Sequence, residues 1–140
     1  MNYKYTSLAL LWMSLIIYTS SIPAHSFPGS GSLSEQIISN LGHIPEFALL
    51  TFLWLKAFIR KENKGKSHLA GTLILIVLII FAISDEIHQS FIPGRFASFM
   101  DIGLDLLGIF SGLGVLRIFG MFSIFQNKSA TKSLRHEGKT

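Results

Sequence analysis

Four apolar stretches alternate with polar ones along the chain, at roughly residues 5–22, 44–59, 69–84 and 102–125. A helix needs about 20 residues to cross the hydrocarbon core of a bilayer, with a usual range of about 17–25. The first and fourth stretches reach that length. The second and third are short by it and would need flanking polar residues that reach the interface, or a locally thinned bilayer. In lipid the backbone finds no water to bond, so each stretch predicts a helix. The expected fold class is all-α: an integral membrane bundle of four transmembrane helices over residues 5–125, followed at 126–140 by a basic cytoplasmic tail that predicts disorder. Ahead of the second stretch, Ser32-Leu33-Ser34-Glu35 forms a capping-box pattern, and Leu33, Ile37, Ile38 and Leu41 share one helical face. That pattern predicts a short interfacial helix on the outer surface, as a lid or support. A rival reading makes the first stretch a cleaved signal peptide, with Lys4, an apolar run, small residues from Ser20 to Ser26 and a mature start near Phe27. Its near-spanning length, and the odd number of spans its loss would leave, weigh against that reading.

Composition agrees with lipid. Of the 140 residues 49% are hydrophobic and only 14% charged, against about 25% charged in an ordinary soluble domain. The net charge of +4 does not indicate nucleic acid, because the basic residues flank apolar spans and no recognition motif accompanies them. Their distribution predicts topology instead. Lys4, the group Arg60, Lys61, Lys64 and Lys66, and the tail residues Lys128, Lys132, Arg135 and Lys139 fall on one side, with Lys56 and Arg117 able to snorkel toward it. The opposite loops hold Arg95 alone. This asymmetry puts both termini in the cytoplasm and residues 23–43 and 85–101 outside, in a multi-pass protein of the cell membrane. With no cysteine, disulfides, thiolate metal sites and cysteine nucleophiles are excluded.

Against that apolar background the polar residues are conspicuous. Ionisable groups cost about 2.5–3.5 kcal/mol each at the centre of an inserted helix, yet three groups of them gather at the expected outer ends of the spans. His43 and Glu46 share a helix face, and Pro45 between them suits a first helical turn. Asp85 stands three residues from His88 and four from Gln89, and Glu86 three from Gln89. Asp101 and Asp105 lie one turn apart near the positive end of the fourth helix, with Asp105 deeper by about 6 Å. Pro93-Gly94 reads as a tight turn that delivers Arg95 to the acids, one of which it is expected to pair with. With Glu35, six acids face one outer arginine, so the outer site is expected to be anionic unless acids are protonated or hold a cation. Polar residues at helix ends also simply stitch helices together, at about 0.6 kcal/mol per hydrogen bond; convergence of three groups on one side weighs toward a site. Gly108 and Gly112 form a GxxxG, which Gly103 and Gly114 extend into a small face for packing. The phenylalanines and both tryptophans are expected to be mostly lipid contacts or interface anchors, and His25, His68 and His136 ordinary loop or tail residues.

Two blocks of residues resemble the VanZ-like family of small bacterial membrane proteins, named for a protein associated with glycopeptide (teicoplanin) resistance. His43-Ile-Pro-Glu46-Phe47-Ala-Leu-Leu50 is similar to that family's H-x-x-E-[YF]-x-x-L. Asp85-Glu86-Ile-His88-Gln89-x-Phe91-x-Pro93-Gly94-Arg95, then Asp101 and Asp105-x-x-Gly108, resembles its D-E-x-H-Q-x-F-x-P-G-R…D-x-x-x-[ND]-x-x-G. The Thr19-Ser20-Ser21-x-Pro23 stretch matches the region after the first helix, so the likeness covers about residues 18 to 115. Phe47 stands where tyrosine is common, so no phenol is required there. The resemblance implies a four-helix membrane protein acting at the cell envelope and does not supply a reaction.

The leading functional expectation is a cell-envelope binding or resistance protein. His43, Glu46, Glu86, His88, Gln89, Arg95, Asp101 and Asp105 would form its binding site for a lipid-linked cell-wall precursor, a headgroup or a glycopeptide, with Arg95 taking an anionic group and the acids accepting hydrogen bonds from sugar or amine. Membrane lipid is its standing partner. The alternative is an integral-membrane hydrolase or transferase acting on envelope lipids, with Glu46, Asp85, Glu86, His88 and Asp105 as catalytic candidates. His43, Glu46, Asp85, Glu86 and His88 offer hard ligands to a divalent cation, the one cofactor this set suits, although no H-E-x-x-H assigns a metal. A small transporter is a third class, disfavoured because the spans carry no clear ionisable residue midway across.

Overall fold

The computed structural model describes residues 1–23, 33–58, 64–95 and 98–137, with side chains described over 1–23, 40–58, 69–95 and 98–118. These residues form four helices and no strand: α1 (Tyr3–Ser20), α2 (Leu33–Phe58), α3 (Lys64–Gln89) and α4 (Phe99–Glu137). The all-α expectation holds. Ser32 and the side chains of Glu35, His25, His68, His136 and the basic residues 60–66 and 128–139 lie outside the described set.

Successive helices run antiparallel. The Asn2 amide donates to the Ala57 carbonyl at 2.8 Å, which puts the start of α1 beside the end of α2. At the other pole the Ser20 hydroxyl donates to Asp85 at 2.8 Å, which joins the ends of α1 and α3. The core takes one or two fully buried residues from each helix: Ile16 of α1, Phe47 and Leu50 of α2, Leu78 and Ala82 of α3 and Ile109 of α4. Trp12, Trp54 and Phe81 pack against this core, and the Phe47 and Phe81 rings lie 6.0 Å apart in tilted contact. These aromatics therefore contribute to packing inside the bundle, while Phe91 and Phe99, 80% and 94% exposed, suit an interface.

At the α2–α4 seam two backbones come into direct contact. A Cβ added to Gly108 would lie 2.5 Å from the Ile44 carbonyl oxygen, and one added to Gly112 would lie 2.6 Å from that of Ala48. Only hydrogen fits there, so the GxxxG lets two backbones touch. Gly103 and Gly114 take no part, since a Cβ added to either would meet nothing within 4 Å.

Two boundaries depart from expectation. The interfacial helix is not a separate element: α2 runs unbroken from Leu33 to Phe58 with Pro45 inside it. Pro45 thus sits in a helix interior and not in a first turn. Its ring removes one i→i−4 hydrogen bond, a loss that packed neighbours can absorb in an apolar bundle. At the other end α4 continues to Glu137, so residues 126–137 are helical where a disordered tail is expected. Outward, α3 exposes Leu69, Leu73, Ile76, Ile80, Ile83 and Ile87 at helical spacing along one face. Such a stripe on a water-soluble protein would be a large unprotected patch; against acyl chains it is at home. Among the described residues, Leu69–Gln89 and Phe99–Ile118 are long and apolar enough to cross a membrane.

Candidate functional site

The buried stripe of each helix turns polar at the same pole. On α3 it reads Leu78, Ala82, Asp85, Gln89; on α4, in the opposite sense, Asp101, Asp105, Gly108, Gly112. On α2, His43 lies one turn before buried Phe47. Spacing of three and four residues keeps each set on one face, so the faces that make the apolar core also bring their last polar turns together.

These side chains do not form one cluster. They form two, divided by the adjacent acids Asp85 and Glu86, both almost fully buried. The first joins α1 to α3. Asp85 Oδ2 accepts from Ser20 at 2.8 Å and from Gln89 Nε2 at 2.9 Å. His88 Nε2 lies 2.9 Å from the Ser21 hydroxyl. Arg95 donates through Nε to the Ile22 carbonyl at 2.9 Å, through Nη2 to the Thr19 carbonyl at 3.0 Å and through Nη1 to Gln89 Oε1 at 3.2 Å. The turn that presents it is the expected one: Gly94 has φ 79°, and the Arg95 amide donates to the Ile92 carbonyl at 3.1 Å. Arg95 therefore closes the C-terminus of α1, where orphan carbonyls collect, and among the described residues it forms no ion pair with a carboxylate.

The second cluster lies between α2, α3 and α4. His43 Nδ1 and Asp105 Oδ1 stand 2.8 Å apart. The close approach of α4 to Ile44, beside His43, sets this distance, since Gly108 is one turn from Asp105. Glu86 Oε2 accepts from the Ser98 amide at 2.8 Å, and Ser98 in turn caps α4, its hydroxyl accepting from the Met100 amide at 3.1 Å. Asp101, 8% exposed, lies on the first turn of α4. Glu46 is half-buried one turn along α2 from His43, on the same helix face; its backbone carbonyl accepts from Trp12 Nε1 at 3.0 Å.

The two clusters differ in how well they are satisfied. Apart from Asp85 Oδ1, every buried polar atom of the first is bonded, whereas Glu86 Oε1, Asp101 Oδ1 and Asp105 Oδ2 of the second have no hydrogen-bond partner among the described residues. A buried polar atom without a partner costs about 1–3 kcal/mol, and more if charged. Such atoms can accept hydrogen bonds from hydroxyls or amines or can hold a cation. His43, Glu86 and Asp105 each offer a ligand atom, and these atoms lie within 4.8 Å of one another.

Of the nine residues singled out in the sequence, His43, Glu46, Glu86, Asp101 and Asp105 thus gather in the second cluster, and Asp85, His88, Gln89 and Arg95 in the first. Sequence reasoning missed Ser20 and Ser21, which hold the first cluster to α1, and Ser98, which holds Glu86. The run Thr19-Ser20-Ser21 at the end of an apolar span was the available signal for the former; nothing in the sequence distinguishes Ser98 from other loop serines.

The model of the family described as VanZ/LLP1 matches residues 5–120, most of the chain. No curated protein and no solved structure gave a match. The match contains both clusters and all of α1 after Lys4, α2 and α3, and with the acidic pole and the apolar outer stripe it leads to one statement of kinship: the chain belongs to the VanZ/LLP1 family.

Proposed function

We propose that this VanZ-like protein works at the cell envelope by binding, through the cluster of His43, Glu46, Glu86, Asp101 and Asp105, a donor-rich group of an envelope component or of a glycopeptide, and so contributes to teicoplanin tolerance. All four helices cross the membrane in this reading, with both termini in the cytoplasm and the cluster at the outer face. The observation that carries it is the set of buried carboxylate oxygens at Glu86, Asp101 and Asp105 that have no partner among the described residues. Sugar hydroxyls and ammonium groups, the donors of cell-wall precursors and of glycopeptides, satisfy such atoms. Arg95 contributes by holding α1 against α3, since each of its three nitrogens already donates to the protein.

The test is tolerance of a teicoplanin-sensitive host expressing the wild type, Glu86→Gln or Asp105→Asn at equal membrane abundance. The wild type is expected to raise tolerance and both variants to lose the gain. Equal tolerance in all three strains would remove the proposal.

A second reading, an envelope-lipid hydrolase or transferase, draws on the His43–Asp105 pair at 2.8 Å. A carboxylate that orients an imidazole is an arrangement suited to general-base work. Lipid analysis of membranes with and without the protein tests it; an unchanged lipid profile counts against turnover.

A further inference from the structure

We infer that His43, Glu86 and Asp105 bind a first-row divalent cation, Mn²⁺ or Zn²⁺, between α2, α3 and α4. The inference does not depend on an envelope ligand: a protein that binds the metal but confers no tolerance would keep this inference and lose the previous one.

Three observations carry it. One imidazole and two carboxylates, from three different helices, place their ligand atoms within 4.8 Å of one another. Ligands around a tetrahedral ion with bonds of about 2.0–2.2 Å stand about 3.3–3.6 Å apart, so small side-chain rotations close the set on an ion. Second, among the described residues Glu86 Oε1 and Asp105 Oδ2 have no hydrogen-bond partner, in side chains 2% and 0% exposed. Buried carboxylates are normally paired or coordinate metals, and among the described residues no lysine or arginine forms an ion pair with either. Third, the set has supporting contacts of the kind metal sites use to fix their ligands: Glu86 is oriented through its other oxygen by the Ser98 amide, and the α2–α4 glycine seam fixes the backbone beside His43 and Asp105. Mixed imidazole and carboxylate ligands suit Mn²⁺ and Zn²⁺ better than soft ions. Three protein ligands also leave coordination positions open to a bound molecule.

The test uses the full chain, without a histidine tag, in nanodiscs. Mn²⁺ binding is followed by electron paramagnetic resonance and Zn²⁺ binding by calorimetry and X-ray absorption. The expected result is one ion per chain, with imidazole scattering in the zinc spectrum, and at least a tenfold loss of affinity in Glu86→Gln and Asp105→Asn. The triple variant His25→Gln, His68→Gln, His136→Gln and the exposed-site variant Ser90→Ala should bind as the wild type does. Failure of the wild type to bind either ion would overturn the inference, as would zinc without an imidazole ligand. Both readouts need only the wild type, so they hold even if a carboxylate variant does not fold.

Discussion

Gly108 is the position where a single methyl group should report on both the packing and the site. In Gly108→Ala the new Cβ would lie 2.5 Å from the Ile44 carbonyl oxygen and 2.9 Å from Phe47 Cβ. Ordinary contact begins near 3.4 Å, so α2 and α4 must part by about 0.9 Å at this level. The obstacle is backbone and not the tip of a flexible side chain, and the strain is expected to cost about 1–3 kcal/mol, as for other overpacked interiors. Asp105 lies one turn away, and if the displacement reaches it undiminished the His43–Asp105 separation grows from 2.8 Å to about 3.7 Å, outside hydrogen-bonding range. Gly103→Ala is the matched control, since nothing lies within 4 Å of its Cβ; there the same methyl should leave stability unchanged or raise it by about 0.4–1 kcal/mol. Denaturant unfolding in detergent, followed by tryptophan fluorescence, gives the stabilities, and ¹⁵N spectra of labelled histidine report the His43 ring. If Gly108→Ala proved as stable as Gly103→Ala, with the His43 signal unmoved, the glycine seam would not be what sets the site.

Other expectations follow from the first cluster and from the topology. Arg95→Ala removes three donors from carbonyl and amide partners and should destabilise the bundle by about 2–4 kcal/mol in the same unfolding assay; Arg95→Lys should recover only a minor part, because an ammonium lacks the planar fork that reaches Ile22, Thr19 and Gln89 together. A double-mutant cycle of Ser20→Ala with Asp85→Ala should give a coupling of about 0.6–1.7 kcal/mol, and a coupling of zero would mean their 2.8 Å contact holds nothing. Trp12→Phe keeps the ring in the core but loses the bond to the Glu46 carbonyl, for an expected loss of about 1 kcal/mol in unfolding free energy. Since the chain has no cysteine, Ser90→Cys provides a unique thiol; a membrane-impermeant maleimide is expected to label it from outside intact cells, and labelling only after lysis would reverse the proposed orientation.

Much of this architecture was legible in the sequence, for reasons that also explain the rest. Apolar segment length and the burial cost of charge mark the helices and single out residues 85–105, because both signals are local. The turn at Pro93-Gly94 is local too. The unbroken run of α2 through Pro45 was not legible, because a proline reads as a boundary unless tertiary packing compensates the lost bond. Nor was the role of Arg95: a guanidinium among acids suggests an ion pair, whereas the carbonyls at the end of α1 become its partners only when α1 folds back against α3. The division between the clusters rests on which neighbours α3 has on either side, and spacing along α3 alone does not reveal that. The glycines show the same limit, as five of them share the fourth apolar segment and, among the described residues, only Gly108 and Gly112 meet another backbone.

Asp85 and Glu86 are consecutive on α3, and consecutive helical residues differ in direction by about 100°. One engages Ser20 of α1 and the other the Ser98 amide at the cap of α4. The third helix is consequently keyed like a shaft with two teeth in two different slots. It cannot roll about its own axis to follow motion in either neighbour without dragging the other, so whatever strains the cap of α4 will be felt at the tip of α1.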